Sequence, residues 1–489
     1  MSTTDSSVSN RWLILVIACL AQFMVVLDAT VVNVALPSIQ RGLHFSAANL
    51  PWVVNGYTLV FGGFLMLGGR AADLLGRRRL FIAGVALFSF ASMLNGLAQS
   101  STLLIAGRGL QGLGGALVSP AALSIITTTF TDTGERTRAL SVWSAIAAGG
   151  AAAGLLLGGV LTDLASWRWV FFVNVPVGVI STILALRFVP ESRADHEHRS
   201  FDLLGAVSVT SGLLVLVYAI IKAQAFGWGS VRTIGLLAGG IGLLALFVAV
   251  EQRSVAPLVR MAIFRVRSIA AADSALLLVG SAMFGMFFFA SLYVQEILGY
   301  SPLRAGFAFL PVTVGIIGGA VAAQQLIARF GVRAVATVGV VLAAAGMLLL
   351  TQLPVHGSYA GNLLVGLVPM SIGMGLVFVP ITLLATGGIA ANDAGLASGL
   401  FNTAQQVGGS LGLALMSTFA ATRTSDLLHG AGTHATHAAI ASARVSGYHV
   451  AFASGAAMLG LAALILVGAL RARHVRELEP TLTPSAAAA

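Results

Sequence analysis

Apolar runs of about membrane-crossing length recur from one end of the chain to the other, divided by short polar or charged segments. A hydrocarbon layer roughly 30 Å thick is crossed by about 20 helical residues. On that length the pattern predicts fourteen helical spans, at 12–36, 50–69, 80–98, 102–127, 139–162, 169–188, 203–221, 233–250, 269–294, 304–328, 334–353, 360–385, 395–421 and 448–470. The polar start Met1–Asn10 and the long run Trp12–Leu36, which lacks a cleavage site, read as a retained first span. The fold class expected is therefore an all-α polytopic membrane protein.

Composition agrees with this reading. Of 489 residues 57% are hydrophobic and 9% charged, against about 25% charged in soluble domains. The 57 glycines suit membrane helices that pack through small faces. A formal charge of +10 does not indicate nucleic acid, because the basic residues are scattered and form no stripe. The single cysteine, Cys19, excludes an intrachain disulfide. With both termini inside, 19 basic residues fall on the cytoplasmic side and 7 opposite, while Arg108 lies within a span. By the positive-inside rule the termini are expected in the cytoplasm of a multi-pass plasma or inner membrane protein.

A weak internal repeat appears at an offset of 255 residues: Gln40, Leu43 and Ser46 match Gln295, Leu298 and Ser301, and Gly76, Arg78 and Gly84 match Gly331, Arg333 and Gly339. The expected organisation is a six-helix bundle over 1–188, two inserted spans with charged linkers over 189–268, a second bundle over 269–470 and a disordered cytoplasmic tail over 471–489. The segment Thr422–Gly447 reads as an outward loop. Parallel repeats place a substrate site between the halves near mid-membrane.

Ionisable groups at membrane depth are costly and usually functional. Of the 17 acids, 14 read as loop, tail or boundary residues; Asp273 and Glu296 lie near the ends of the ninth span, and only Asp28 lies deep. Water-poor surroundings penalise its charged form, so Asp28 is a candidate proton carrier, the alternative being an acid that merely holds helices together. Its repeat position is Met283, so coupling is expected in the first half. Arg108, always charged, needs a cavity or a counter-charge such as Asp28, or else snorkels to an interface. Between spans 2 and 3, Gly69, Asp73, Gly76, Arg77 and Arg78 form a charged turn in which Asp73 accepts from arginines or caps the third span.

That turn resembles the loop signature of the major facilitator superfamily, departing from it at Leu74. Leu27–Pro37, Arg108–Ala116, Trp167–Pro176 and Tyr300–Pro302 resemble motifs of the fourteen-helix drug:proton antiporter branch. Gly150, Gly154, Gly158 and Gly159 resemble its fifth-helix antiporter motif, with Leu155 where that family typically has proline. The resemblance extends over nearly the whole chain. It implies two rocking six-helix bundles, a cytoplasmic latch at the Asp73 turn, and proton coupling through Arg108 with Asp28. Gln22, Asn55, Tyr57 and Gln111 in the first half, and Phe284, Phe288, Asn402 and Gln405 in the second, are candidate cavity residues.

The function expected is proton-coupled efflux of small lipophilic or amphipathic compounds, conferring drug resistance, by a monomer without cofactor or metal. An importer on the same fold is the alternative. A membrane-embedded enzyme is disfavoured, because the acids are dispersed and no histidine reads as deep. His429, His434 and His437 stand in a Gly/Ala/Thr segment that does not look like a metal site. No Walker loop is present to bind ATP.

Overall fold

Apolar runs this long fold as helices, since each helix satisfies its own backbone polar groups where no water can. The computed structural model describes residues 3–193, 202–254, 257–386, 394–431 and 436–469; the expected tail and His434 fall outside them. Its helices are α1 Thr3–Leu43, α2 Trp52–Leu75, α3 Arg77–Gly96, α4 Ser101–Thr129, α5 Thr133–Leu164, α6 Trp169–Phe172, α7 Asn174–Phe188, α8 Leu203–Phe226, α9 Val231–Arg253, α10 Arg267–Leu292, α11 Pro302–Ala308, α12 Leu310–Phe330, α13 Val332–Leu350, α14 Leu364–Thr386, α15 Ala394–Ala431 and α16 His437–Ala469. Side-chain caps start several of them. Ser100 accepts from the Leu103 amide, Asp132 from Glu135 and Asp202 from Gly205.

Among the described residues, thirteen helices are long and apolar enough to cross a membrane. The remaining expected span, 395–421, lies on the 38-residue helix α15, whose glycines and the amides Asn402, Gln405 and Gln406 leave it less apolar. Most helices outrun the spans read from sequence, because polar residues extend them beyond the apolar window. The largest correction is at Thr422–Gly447. Instead of a long loop, α15 runs on to Ala431 and α16 begins at His437. As a result His449 lies well inside a helix, its Nε2 2.7 Å from the Leu353 carbonyl oxygen.

The chain forms two compact units. One comprises 1–210 with 253–258 and 301–307; the other comprises 211–252, 259–300 and 308–489. In the first, α2, α3 and α4 pack together and α1 lies on α5, α4 and α7 around a core that includes Phe81, Phe88 and Phe130. In the second, α10 packs on α15 and α16, and α14 lies against α12 and α13.

The 255-residue repeat has a structural counterpart in each unit. Gly76 at φ 113° joins α2 to α3, and Gly331 at φ 79° joins α12 to α13. Both are left-handed positions that favour glycine. Gly84 abuts the Val118 backbone on α4 and Gly339 abuts that of Gly373 on α14, residues again 255 apart.

Candidate functional site

Asp28 is fully buried on α1 and forms the centre of a closed polar network drawn from α1, α3, α4 and α7. Its Oδ2 meets Arg108 Nη1 at 2.5 Å. Its Oδ1 accepts from Gln111 Nε2 at 2.7 Å and from Asn174 Nδ2 at 3.0 Å. Arg108 and Gln111 sit three residues apart on α4 and so share a face. Gln111 Oε1 accepts from Arg108 Nη1 and from Asn95 Nδ2, each at 2.8 Å. Ser92 Oγ accepts from Gln111 and Asn174 and donates to the Phe171 carbonyl at 2.8 Å.

Arg108 is 1% exposed, which excludes snorkelling to an interface. Besides Asp28 and Gln111 it has further uncharged anchors. Its Nε donates to the Val53 carbonyl at 2.9 Å, and its guanidinium carbon lies 4.4 Å from the centre of the Tyr57 ring. Small residues make this approach possible. A side chain on Gly107 would collide with Asn95 Oδ1, and one on Gly112 with the Tyr57 carbonyl.

The opposite face of α1 rests on the glycine ladder of α5. Gly150 faces Phe23 and Val26, Gly154 faces Thr30 and the Leu27 carbonyl, and Gly158 faces the Val31 backbone. Gly159 instead abuts Pro302 and Leu303, and Gly306 of α11 abuts the backbone of Leu155. Leu155 is buried, and α5 passes through it unbroken.

The charged turn is tighter than the sequence suggests. Gly69 and Asp73 lie on the last turns of α2, and Gly76 alone links α2 to α3. Asp73 Oδ1 accepts from Arg77 Nε at 3.2 Å and Nη2 at 2.9 Å. No side chain caps α3, so of the two expected roles Asp73 takes the arginine contact. Residues 186–192 clasp the turn: Arg77 N donates to Ser192 O, Arg78 N to Glu191 Oε1 and Arg78 Nη2 to Leu186 O.

The candidate cavity residues divide by environment. Asn55, Tyr57 and Gln111 are buried within helix packing. Gln22 is half-buried and accepts from Ser119 Oγ at 2.6 Å. In the second unit Phe288 is buried against Phe289, Phe284 lies over Gly409, Gln405 is half-buried and Asn402 is exposed. Sequence reasoning gave no role to Asn174, Ser92 or Asn95. The spacing of Ser89, Ser92 and Asn95 along one face of α3 is the signal that points to a buried polar seam. His429 and His437 lie on α15 and α16, and among the described residues no three metal-binding side chains cluster.

Comparison with known proteins shows the family. The family model described as Major Facilitator Superfamily matches residues 18–413. The chain is 41% identical over 464 residues to the puromycin resistance protein pur8 of Streptomyces alboniger, covering 93% of this chain and 90% of that one. It is 41% identical to the cephamycin export protein CmcT of Amycolatopsis lactamdurans, covering 86% and 87%. With the tetracenomycin C resistance and export protein of Streptomyces glaucescens it shares 36%, covering 87% and 79%. Among solved structures, a peptide transporter POT in complex with sulfate gives a TM-score of 0.67 at 16% identity, covering 96% of this chain and 95% of that one. A bacterial homolog of the human lysosomal transporter Spinster gives 0.66 at 17%, covering 96% and 98%. At such identities these two bear on the fold alone. The chain belongs to the Major Facilitator Superfamily.

Proposed function

We propose that the protein exports small lipophilic or amphipathic compounds, antibiotics among them, by exchanging them for protons in alternating access. The names of the relatives support drug export. The observation that carries proton coupling is the buried Asp28–Arg108 pair in its closed network. When Asp28 takes up a proton its charge-assisted bond to Arg108 weakens. The guanidinium then keeps the Val53 carbonyl, the Gln111 amide oxygen and the Tyr57 face, which offset part of the lost ion pair when the two separate.

In this reading the halves 1–188 and 269–470 rock as bundles, the Asp73–Arg77 turn latches one state, and the ladder of Gly150, Gly154, Gly158 and Gly159 lets α5 keep close contact with α1. Gln22, Phe284, Asn402 and Gln405, which retain exposure, are the residues best placed to meet cargo. The protein works as a monomer in the plasma membrane with both termini cytoplasmic. One proton moved across 100 mV supplies about 2.3 kcal/mol, enough for more than tenfold accumulation.

The test is a pH-gradient assay in proteoliposomes with puromycin and ethidium as probes. Wild type should move at least one probe uphill against proton flow, and Asp28→Asn should lose uphill transport while retaining probe binding. Proton-driven accumulation that survives Asp28→Asn would refute the assignment, and probe moving in the same direction as protons would make the protein an importer.

A further inference from the structure

Asp273 stands in the second turn of α10 and is 6% exposed. The flanking residues Ile269, Ala272, Ala275 and Leu276 are buried and apolar. Neither oxygen of its carboxyl group has a hydrogen-bond partner among the described residues. Such a group demands an account, because an unpaired carboxylate in apolar surroundings is among the costliest things a fold can bury.

The elements packed on α10 offer it no counter-charge. α15 runs parallel to α10, with Gly408 against Leu277, Gly412 against Ser281 and Gly285 against Met416. Asp273 is therefore level with the first turns of α15, which carries no ionisable residue before Arg423. α16 runs antiparallel, since Phe289 packs on Tyr448 and Phe452. The part of α16 level with Asp273 lies in 451–469, which holds no charge, and α14 holds none at all. Glu296, Arg444 and Tyr448 are paired to one another at the far end of α10. Arg265 lies in the turn before α10, and Arg267 starts the helix about 9 Å along its axis from Asp273. Neither forms an ion pair with it. Asp393 belongs to 387–393, outside the described residues.

We propose that Asp273 is a second proton-binding site, loaded in the conformation seen here and discharged when the transport cycle wets the start of α10. The alternative, an acid that ties helices together, requires a bond, and among the described residues Asp273 makes none. The repeat adds an independent point. Across the 255-residue offset Asp28 becomes Met283 and Asp273 becomes Ala18, so each half carries one intramembrane carboxyl on its first helix, about 15 Å apart in register. The proposal goes beyond the role given to Asp28, and the two fail separately.

The test is infrared difference spectroscopy of the full chain in lipid between acid and alkaline pH, which resolves the carbonyl stretch of a protonated carboxyl. Wild type should show such a band, lost in Asp273→Asn, displaced in Asp273→Glu and retained in Asp28→Asn. The band should shift in deuterium oxide, as a group that meets water during cycling must. A protonated-carboxyl difference spectrum that Asp273→Asn leaves unchanged, with every such band vanishing only in Asp28→Asn, overturns the assignment. The absence of any Asp273-dependent band from the difference spectrum marks a carboxyl that does not titrate and overturns the carrier role. Should Asp273→Asn fail to fold, the displaced band of Asp273→Glu decides the matter.

Discussion

The most exacting consequence of the network around Asp28 concerns what happens when one charge is removed and the other kept. Asp28→Asn replaces two accepting oxygens by one oxygen and one N–H. The group must then face three donors, from Arg108, Gln111 and Asn174. At least one donor meets another donor, and a guanidinium that is 1% exposed loses its counter-ion. Removing one partner of a buried pair costs about 3–5 kcal/mol, so about 4 kcal/mol is expected here. Arg108→Gln should cost about as much, since it leaves the carboxylate with only amide donors and frees the Val53 carbonyl.

The double variant strands no charge. It still loses the Val53 bond and the Tyr57 stacking, so it should sit near either single variant in stability. The coupling in the cycle is then about 4 kcal/mol, just above the upper end of about 3 kcal/mol for residues in direct contact. Unfolding in mixed micelles by titrated sodium dodecyl sulfate, followed by tryptophan fluorescence, measures all four corners. Losses that add to within about 0.5 kcal/mol would mean the pair is energetically idle, and the mechanism built on its making and breaking would fall with it.

Other outcomes follow from tighter geometry. A Cβ at Gly158 would stand 2.7 Å from the Val31 carbonyl oxygen, so Gly158→Leu should push α5 off α1, lower stability by about 1–3 kcal/mol and reduce export of a fluorescent drug from intact cells. Gly76→Ala forces a side chain into φ 113° and against the Glu191 carboxylate; about 1–3 kcal/mol of strain is expected, read as a lower apparent Tm in detergent. Asp73→Asn breaks a partly exposed pair with Arg77 and should cost under about 1 kcal/mol, yet slow transport in vesicles. Unchanged transport would remove the latch role.

Helices of this kind are legible in sequence because the bilayer imposes a length and a polarity on every crossing. Asp28 and Arg108 are legible for the same reason, since ionisable groups rarely lie that deep without purpose. Neutral polar residues carry a weaker signal. Asn174, Ser92 and Asn95 join the network across sequence separations as large as 146 residues, which no local pattern encodes. Asn174 reaches Asp28 from the first turn of α7, just past the break at Val173, inside what reads as one continuous span. Asp273 read only as a residue near the end of the ninth span, because burial near a helix end comes from neighbouring helices, not from its own apolar run. Thr422–Gly447 misled in the opposite sense, because alanine-rich polar sequence extends a helix without registering as a span.

The placement of the polar groups bears on selectivity. In the first unit Asn55, Tyr57 and Gln111 are buried, and Gln111 is committed to Asp28 and Arg108. Gln22 already accepts from Ser119. The Asn55 amide and the Tyr57 hydroxyl have no hydrogen-bond partner among the described residues but are buried in helix packing. Among these four, few exposed and uncommitted polar groups are therefore left to read a substrate by directed hydrogen bonds, the device that gives the sharpest discrimination. Recognition then rests on apolar area, where an added or missing methylene is worth only about 1–3 kcal/mol. In the proposed mechanism the polar groups of this unit serve the Asp28–Arg108 pair and not the cargo. A transporter built this way should accept compounds alike in lipophilicity and unlike in functional groups. A resistance profile confined to one chemical scaffold would argue that unit 1 recognises its substrate through groups other than these.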